Sequence, residues 1–186
     1  MKPNDATDDF INVLVTKDQI DARLTELAQQ IERDYQNKNV LLVGVLKGAV
    51  MLMADLSRRF AYSVEMDWMA VSSYGKGTTS SGVVRILKDL DTDIANRHVL
   101  VLEDIVDSGL TLSWLVQNLR ARQPASLEVF ALLRKPEAIQ VHVDVKYVGF
   151  EIPPDFVVGY GLDYAERYRN LDSVATLNPA VYSERP

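Results

Sequence analysis

The residues best able to do chemistry are three carboxylates within five positions. Glu103, Asp104 and Asp107 belong to the stretch EDIVDSGLT, which also carries the hydroxyls of Ser108 and Thr111. Ionised carboxylates accept hydrogen bonds from hydroxyl groups and bind hard cations such as Mg2+. The spacing therefore predicts a site for a ligand that carries both hydroxyls and a phosphate, and a ribose 5-phosphate has both.

A strand must precede these residues and a helix must follow them. Val99–Leu102 is a short apolar run without alternation, which is typical of a strand buried on both faces. Gly109 permits positive φ at the turn, and the first N–H groups of the next helix are free to bind a phosphate. In open α/β sheets, ligands bind at this junction. That helix is predicted over Thr111–Arg122 from the helical spacing of Leu112, Leu115, Val116 and Leu119.

A plainer interpretation of the same stretch is an ordinary turn with a helix cap. Asp, Ser and Gly are common turn and cap residues, and a lone Asp-Ser-Gly would indicate nothing more. Three carboxylates at the end of a buried strand are harder to explain in this way, because buried acids are rare unless they are paired or used. The functional interpretation is therefore favoured.

Composition limits the classes of protein that need considering. The chain has 186 residues, enough for one domain with a substantial core, and we expect residues 1–186 to form a single domain with 1–9 flexible. It has no cysteine, which excludes disulfides and thiolate chemistry and fits a cytoplasmic location. The polar start is neither a signal nor a transit peptide, and no apolar run is long enough to span a membrane. A net charge of −6 disfavours binding to nucleic acid.

Apolar runs alternate with helical patterns along the chain. A capping box at Thr16–Gln19 opens a helix whose apolar face is Ile20, Leu24, Leu27, Ile31 and Tyr35, and a second helix is predicted over Ala49–Phe60. This order predicts an α/β fold with a doubly wound, mainly parallel central sheet and helices on both faces. Besides the central strand, strands are predicted at Phe10–Val15, Val40–Leu46, Leu127–Leu133, Val143–Gly149 and Phe156–Tyr160.

One further strand leads into a glycine-rich loop. Val64, Met66, Trp68 and Ala70 alternate with Glu65, Asp67 and Met69, which predicts a strand with one polar edge. Residues 72–82 then predict a loop, either a plain hairpin or a mobile lid over a site.

The stretch EDIVDSGLT resembles the phosphoribosyl pyrophosphate motif of the type I phosphoribosyltransferases. Together with its flanking segments, the chain is similar to the hypoxanthine-guanine branch of that family from about Phe10 to Leu177. The resemblance implies a small hood built from N- and C-terminal segments, beside the central sheet. It also implies Mg2+-dependent transfer of the 5-phosphoribosyl group to N9 of a 6-oxopurine, in a homodimer or homotetramer.

The resemblance also implies roles for individual residues. Asp107 is the expected general base at purine N7, and Lys135 the expected donor to the exocyclic oxygen at position 6. A cis peptide is expected between Leu46 and Lys47. Leu110 departs from relatives that carry a polar residue there, so one side-chain contact is absent. For phosphoribosyl pyrophosphate the resemblance implies Lys47, Gly48, Glu103, Asp104, Asp107, Ser108, Gly109, Leu110, Thr111 and Arg169. For the purine it implies Ile105, Lys135, Phe156, Val157 and Asp163, and for the metal Glu103, Asp104 and Asp163. Ser73 and Tyr74 are expected in a lid over 73–82.

Three other functions are weighed against this one. A nucleotide-sensing RNA-binding regulator on the same fold would keep the central motif, but it should show a basic face, whereas this chain is acidic. A phosphoribosyltransferase for adenine or a pyrimidine is disfavoured by Lys135-Pro136 and by the segment Phe156–Tyr160. A dinucleotide-binding domain would need a glycine fingerprint that the chain lacks. For Phe156, ordinary core packing is as good an explanation as stacking on a base.

Overall fold

A computed structural model describes residues 8–74 and 83–183 of the chain. Within these ranges the chain forms nine strands and four α-helices. In chain order they are β1 (Phe10–Val15), α1 (Lys17–Asp34), β2 (Val40–Leu46), α2 (Val50–Ser57), β3 (Glu65–Tyr74), β4 (Val83–Lys88), β5 (His98–Val106), α3 (Leu110–Arg120), β6 (Ser126–Arg134), β7 (Tyr147–Glu151), β8 (Val157–Val158), β9 (Val174–Leu177) and α4 (Pro179–Ser183).

Six strands form the central sheet, in the order β4-β3-β2-β5-β6-β7. The pairs β3–β2, β2–β5, β5–β6 and β6–β7 are all parallel, and only β4 runs antiparallel to its neighbour β3. The α/β class and the mainly parallel sheet predicted from the sequence are therefore confirmed. Every parallel strand ends at the same edge of the sheet, so the polar residues that follow β2, β5 and β6 are brought close together.

Helices cover both faces of this sheet, as the doubly wound pattern predicts. The Thr16 capping box forms as predicted, with the Gln19 N–H donating to Thr16 Oγ1 and the Thr16 N–H donating to Gln19 Oε1. Helices α1 and α2 pack on one face of the sheet, against side chains such as Leu42 and Leu100. Helix α3 packs on the other face, against side chains such as Val43 and Val101.

A second, three-stranded sheet has the order β1-β9-β8. Strand β1 pairs antiparallel with β9, placing Val15 opposite Val174, and β8 pairs with the other side of β9. Segments from near the two ends of the chain thus form one small sheet, which is the hood that the resemblance implies. Across the described ranges, no helix combines the length and apolar character needed to cross a membrane.

The polar edge predicted for β3 is largely buried, and part of its apolar edge is exposed. Asp67 and Met69 are buried, whereas Met66 is 52% exposed. Asp67 is tolerated inside because its carboxylate accepts N–H groups from Trp68, Asp91 and Thr92. The strand also continues through Tyr74, where a loop was expected from Ser72 onward, because β4 supplies an antiparallel partner.

Other boundaries also differ from the predictions. The segment predicted as a strand over 143–149 becomes regular only at Tyr147, because Val143 and Val145 pack into the cluster under α3 without joining the ladder. Helix α2 is shorter than predicted, and β9 and α4 were not predicted. The predicted lid over 73–82 lies outside the described residues, apart from the backbone of Ser73 and Tyr74 in β3.

Candidate active site

The acidic pair lies inside the central strand rather than after it. Strand β5 continues to Val106, where a strand ending at Leu102 was expected. Its pairing with β2 stops at Leu102, whereas its pairing with β6 continues to Val106. Glu103 and Asp104 therefore stand on the part of β5 whose β2 side is open. This leaves room for a ligand between the ends of the two strands.

The two carboxylates of the pair face different surroundings, because alternate residues of a strand point to opposite faces. Glu103 is buried and lines a cavity of about 230 Å³ together with Asp107 and Gly109. The Asp104 carboxylate lies against Gly48, at the start of the turn between β2 and α2. A Cβ at position 48 would overlap Oδ2 of Asp104, so the carboxylate can occupy this place only beside a glycine.

Burial makes both carboxylates hard to ionise. It raises the pKa of Glu103 well above its usual range, and the neighbouring Asp104 charge raises that pKa further. Burial also raises the pKa of Asp104 to about 6, although N–H groups of the backbone and the Arg169 guanidinium oppose the rise. Two adjacent acids that resist ionisation favour a ligand that brings positive charge or hydroxyl donors to them.

The turn after β5 has the shape of an anion-binding loop. Gly109 adopts a left-handed conformation, with φ of 80°, and caps α3. The Ser108 carbonyl accepts the N–H groups of Gln140 and Val141, which anchors the turn to the segment after β6. The first N–H groups of α3 point into the turn, where they could bind a phosphate. Predicted residues Ser108, Gly109 and Thr111 line the cavity that also contains Glu103, Ile105 and Asp107.

Lys135 and Asp107 form an ion pair. Lys135 follows β6, and its backbone N–H donates to the Val106 carbonyl. Its Nζ donates to Asp107 Oδ2 at 3.0 Å, although the Lys135 side chain is only 8% exposed and the Asp107 side chain is 56% exposed. A buried ammonium is thus held by a carboxylate that lines the cavity, and it has further N–H groups with which it could donate to a ligand.

The remaining charged residues predicted from the sequence meet at the other side of Asp104. Arg169 donates to the Asp163 carboxylate at 2.8 Å and to the Gly161 carbonyl at 2.8 Å. Lys47 is exposed and pairs with Glu166 at 3.0 Å, and the Glu166 N–H donates to Asp163. The Lys47 ammonium and then Arg169 hold the pKa of Glu166 below its usual range. Lys47 follows a cis peptide bond from Leu46, as expected.

Three of the five predicted purine-contacting residues, Ile105, Phe156 and Val157, lie in the small sheet or pack beside it. Val157 is buried in β8, and Ile105 packs on the apolar cluster to which Val157 belongs. Phe156 is 41% exposed, so core packing does not account for it. Its ring contacts Tyr164, with centroids 5.9 Å apart, and Tyr182, with centroids 5.2 Å apart.

Sequence reasoning missed three residues of this region: Gly161, Tyr164 and Glu166. The polar segment after Phe156 gave no signal for Glu166, because a carboxylate that pairs with a lysine in another loop has no periodic pattern. Gly161 follows Gly159 at a spacing of two, which is a signal for unusual backbone that the prediction did not use.

The residues fit a divalent cation only in part. Among residues 8–74 and 83–183, no group of three or more His, Asp or Glu side chains is arranged to hold a metal ion. Mg2+ usually takes one or two carboxylates and fills its other positions with water and substrate phosphates. Asp104 and Asp163 offer carboxylate oxygens of this kind close to Arg169.

Comparisons with known proteins agree with this geometry. The family model described as a phosphoribosyl transferase domain matches residues 16–165. The hypoxanthine-guanine phosphoribosyltransferase of Mycobacterium tuberculosis is 57% identical over 180 residues, which are 94% of this chain and 89% of that protein. The chain belongs to the hypoxanthine-guanine phosphoribosyltransferase family.

Further members of the hypoxanthine-guanine phosphoribosyltransferase family show the same similarity. The Bacillus subtilis enzyme is 49% identical over 174 residues, covering 94% of this chain and 97% of that one. The solved hypoxanthine phosphoribosyltransferase of Staphylococcus aureus superimposes with a TM-score of 0.91 at 46% identity, covering 95% of this chain and 96% of that one. The type I phosphoribosyltransferase fold is therefore the fold of this chain.

Proposed function

We propose that the protein is a purine salvage enzyme that transfers the 5-phosphoribosyl group from phosphoribosyl pyrophosphate to N9 of hypoxanthine or guanine. The products are IMP or GMP and pyrophosphate. The observation that carries the proposal is the ion pair of Lys135 with Asp107, a residue that lines the cavity behind the strand-to-helix turn. It puts a donor for the purine oxygen and an acceptor for a purine proton within one hydrogen bond of each other.

Phosphoribosyl pyrophosphate would bind with its two phosphate ends apart. The 5-phosphate fits the N–H groups at the start of α3, with the Ser108 and Thr111 hydroxyls beside them. The pyrophosphate fits the side of Asp104 where Gly48 lies, because two cationic side chains, Lys47 and Arg169, are found there. The ribose hydroxyls would then reach the carboxylates of Glu103 and Asp104 in the opening beside β5.

The purine would bind over Asp107, between Ile105 and the ring of Phe156. Lys135 would donate to the 6-oxo oxygen, which distinguishes hypoxanthine and guanine from adenine. N9 attacks C1 of the ribose, the bond from C1 to the pyrophosphate oxygen breaks, and Asp107 accepts the proton from N7. Positive charge develops on the ribose in this transition state. It favours the ionised forms of Glu103 and Asp104, and the ionised carboxylates would stabilise it in turn.

We infer that Mg2+ is required. Asp104 and Asp163, whose carboxylates lie near Arg169, would hold it directly or through water, whereas Glu103, also expected as a ligand, faces the cavity on the opposite side of β5. When bound, the ion would stabilise the negative charge that grows on pyrophosphate. Water must be kept from the ribosyl cation, and we propose that a lid containing Ser73 and Tyr74 serves this purpose.

We propose that residues 1–186 form a single domain, that the protein acts in the cytoplasm, and that it assembles as a homodimer or homotetramer. Light scattering after gel filtration would measure the number of subunits.

A spectrophotometric assay tests the proposal. The purified chain is given phosphoribosyl pyrophosphate and Mg2+ with hypoxanthine, guanine, xanthine or adenine in turn. We expect turnover of hypoxanthine or guanine, no measurable turnover of adenine, and loss of activity in EDTA that returns when Mg2+ is added. Absence of turnover with all three 6-oxopurines, or a preference for adenine, would overturn the proposal.

A further inference from the structure

Three successive residues after β8 have left-handed backbone conformations. The φ angles are 100° at Gly159, 49° at Tyr160 and 101° at Gly161. Glycine adopts such angles without cost, but a residue with a Cβ does so only when its surroundings hold it there. Tyr160 therefore needs specific contacts, and these contacts indicate what the turn is for.

Two hydrogen bonds hold Tyr160, one from its backbone and one from its side chain. Its N–H donates to the Leu171 carbonyl at 3.0 Å, and its hydroxyl donates to Asp55 Oδ2 at 2.7 Å. The side chain is buried, and burial together with the Asp55 carboxylate raises the pKa of the Tyr160 hydroxyl, which keeps it a donor. Asp55 is itself fixed, because it lies on α2 and pairs with Arg58.

The turn held by Tyr160 contacts the proposed pyrophosphate side of the site at two points. Gly161 lies so close to the Gly48 carbonyl that a Cβ at position 161 would overlap it. Gly161 also exchanges two hydrogen bonds with Arg169: its N–H donates to the Arg169 carbonyl, and its carbonyl accepts from the Arg169 guanidinium. Arg169 in turn holds Asp163.

The turn at residues 159–161 is therefore attached to α2 at two places. Before the helix begins, Gly48 packs against Gly161, and near the end of the helix Asp55 accepts a hydrogen bond from the Tyr160 hydroxyl. If the hydroxyl bond is lost, one of these two attachments is lost, and the gap between the Lys47–Gly48 turn and the Asp163–Arg169 pair is no longer fixed.

We propose that Tyr160 is a positioning residue for the pyrophosphate end of phosphoribosyl pyrophosphate, acting through its hydrogen bond to Asp55. The inference rests on the proposed function, because it names a residue that supports the substrate site described there. It extends that function to a side chain on the far side of the turn, turned away from the substrate and toward α2.

The chain offers a matched control for this bond. Tyr147 is also buried, and its hydroxyl donates to Asp34 Oδ2 at the same distance, 2.7 Å. Tyr147 begins β7, so it lies at the amino-terminal edge of the sheet, opposite the proposed site. Tyr160→Phe and Tyr147→Phe each delete one hydroxyl from one Tyr–Asp bond, and only the first bond adjoins the turn.

Calorimetric titration with phosphoribosyl pyrophosphate and Mg2+ is the first measurement. We expect Tyr160→Phe to raise the Kd roughly fivefold, the size that loss of one hydrogen bond predicts, and Tyr147→Phe to leave it within about twofold. The KM for hypoxanthine should stay near the wild-type value in both variants. Equal changes in the two variants, or equal increases for phosphoribosyl pyrophosphate and hypoxanthine, would overturn the inference.

Variants of Asp55 give a second, independent measurement. Asp55→Asn keeps an acceptor for the Tyr160 hydroxyl and should bind phosphoribosyl pyrophosphate nearly as wild type does, whereas Asp55→Ala should resemble Tyr160→Phe. The double variant Tyr160→Phe/Asp55→Ala should be little worse than either single variant, because both remove the same bond. Fully additive effects would contradict the inference. Because binding is measured directly, wild-type protein that binds phosphoribosyl pyrophosphate without using a 6-oxopurine would refute the proposed function alone.

Discussion

Lys135 and Asp107 are two oppositely charged residues that the proposed reaction needs for different tasks. Lys135 Nζ donates to Asp107 Oδ2 at 3.0 Å, so each satisfies the other. The pair avoids the cost of leaving a buried ammonium without an acceptor. A purine with an oxygen at position 6 can replace part of this interaction, whereas adenine would present an amino group to the ammonium. In the proposed mechanism, selection of the base and placement of the general base thus depend on the same two side chains.

Replacing the proposed general base tests its part in the chemistry. Asp107→Asn keeps the size of the side chain but removes its ability to accept a full proton. We expect turnover to fall at least roughly tenfold, while the Kd for phosphoribosyl pyrophosphate stays near that of the wild type. Steady-state kinetics and calorimetry measure the two quantities, with Asp144→Asn, an exposed carboxylate beside His142, as the control. Unchanged turnover would remove Asp107 from the mechanism.

Removing the ammonium tests recognition of the base. Lys135→Ala leaves no donor for the 6-oxo oxygen, so kcat/KM for hypoxanthine should fall at least about tenfold. The KM for phosphoribosyl pyrophosphate should change much less. Lys146→Ala serves as the control, because Lys146 is a half-exposed lysine that pairs with Asp34 near the opposite edge of the sheet. Equal losses for the two substrates would contradict the assignment of Lys135 to the purine.

At the scale of elements, the turn between β2 and α2 packs between two other segments, the end of β5 and the turn after β8. Gly48 leaves room for the Asp104 carboxylate, and its carbonyl lies against Gly161. Gly48→Ala would push the Asp104 carboxylate away, and we expect the KM for phosphoribosyl pyrophosphate to rise about tenfold or more, as a misplaced binding group can cause. In an Asp104→Ala background, the same substitution should have a much smaller effect, because nothing remains to be displaced. An undiminished effect in that background would point to another cause.

The elements that sequence reasoning predicted well are those fixed by local pattern. The Thr16 capping box, the apolar face of α1 and the boundaries of β2 follow from residues that lie close together in sequence. The errors occur where tertiary contacts decide. Asp67 is inside because three N–H groups, two of them from the loop after β4, turn toward it, and β9 is a strand because β1 and β8 lie on either side of it.

The same division applies to the candidate site. The stretch from Glu103 to Thr111, which covers the end of β5, the turn and the start of α3, could be located from sequence, because its residues are contiguous and their types are unusual for a buried strand. Ion pairs between residues of different loops could not be predicted in this way. The pairs Lys47–Glu166 and Lys135–Asp107 join residues far apart in sequence. The parallel pairing of β5 and β6 brings Lys135 to Asp107, and the close packing of Gly161 on Gly48 brings the segment of Glu166 to Lys47.

For the whole molecule, the acidic pair in β5 gives stability a dependence on pH. The folded chain keeps protons on Glu103 and Asp104 that the unfolded chain releases near pH 4, because burial raises both pKa values, that of Asp104 to about 6. The unfolded state therefore binds fewer protons from about pH 4 upward, and the contribution of these groups to the free energy of unfolding falls as pH rises through the raised pKa values.

Urea unfolding at pH 5 and pH 8 measures this contribution. The variant Glu103→Gln/Asp104→Asn carries neutral amides at both positions, so it should lose less stability than wild type between the two pH values. Asp144→Asn, which changes an exposed carboxylate, should follow the wild-type curve. If the double variant loses as much stability as wild type, the two carboxyl groups do not titrate abnormally in the folded chain.

The small sheet links distant parts of the chain. Strand β1 is bonded to β9, β9 is bonded to β8, and the Leu177 N–H donates to the carbonyl of Phe156, whose ring we propose stacks on the base. A substitution in residues 10–15 that disrupts β1 would therefore disturb β9 and, through it, the position of the Phe156 ring. We expect such a substitution, although distant from the proposed substrate site, to change the enzyme's preference among purines.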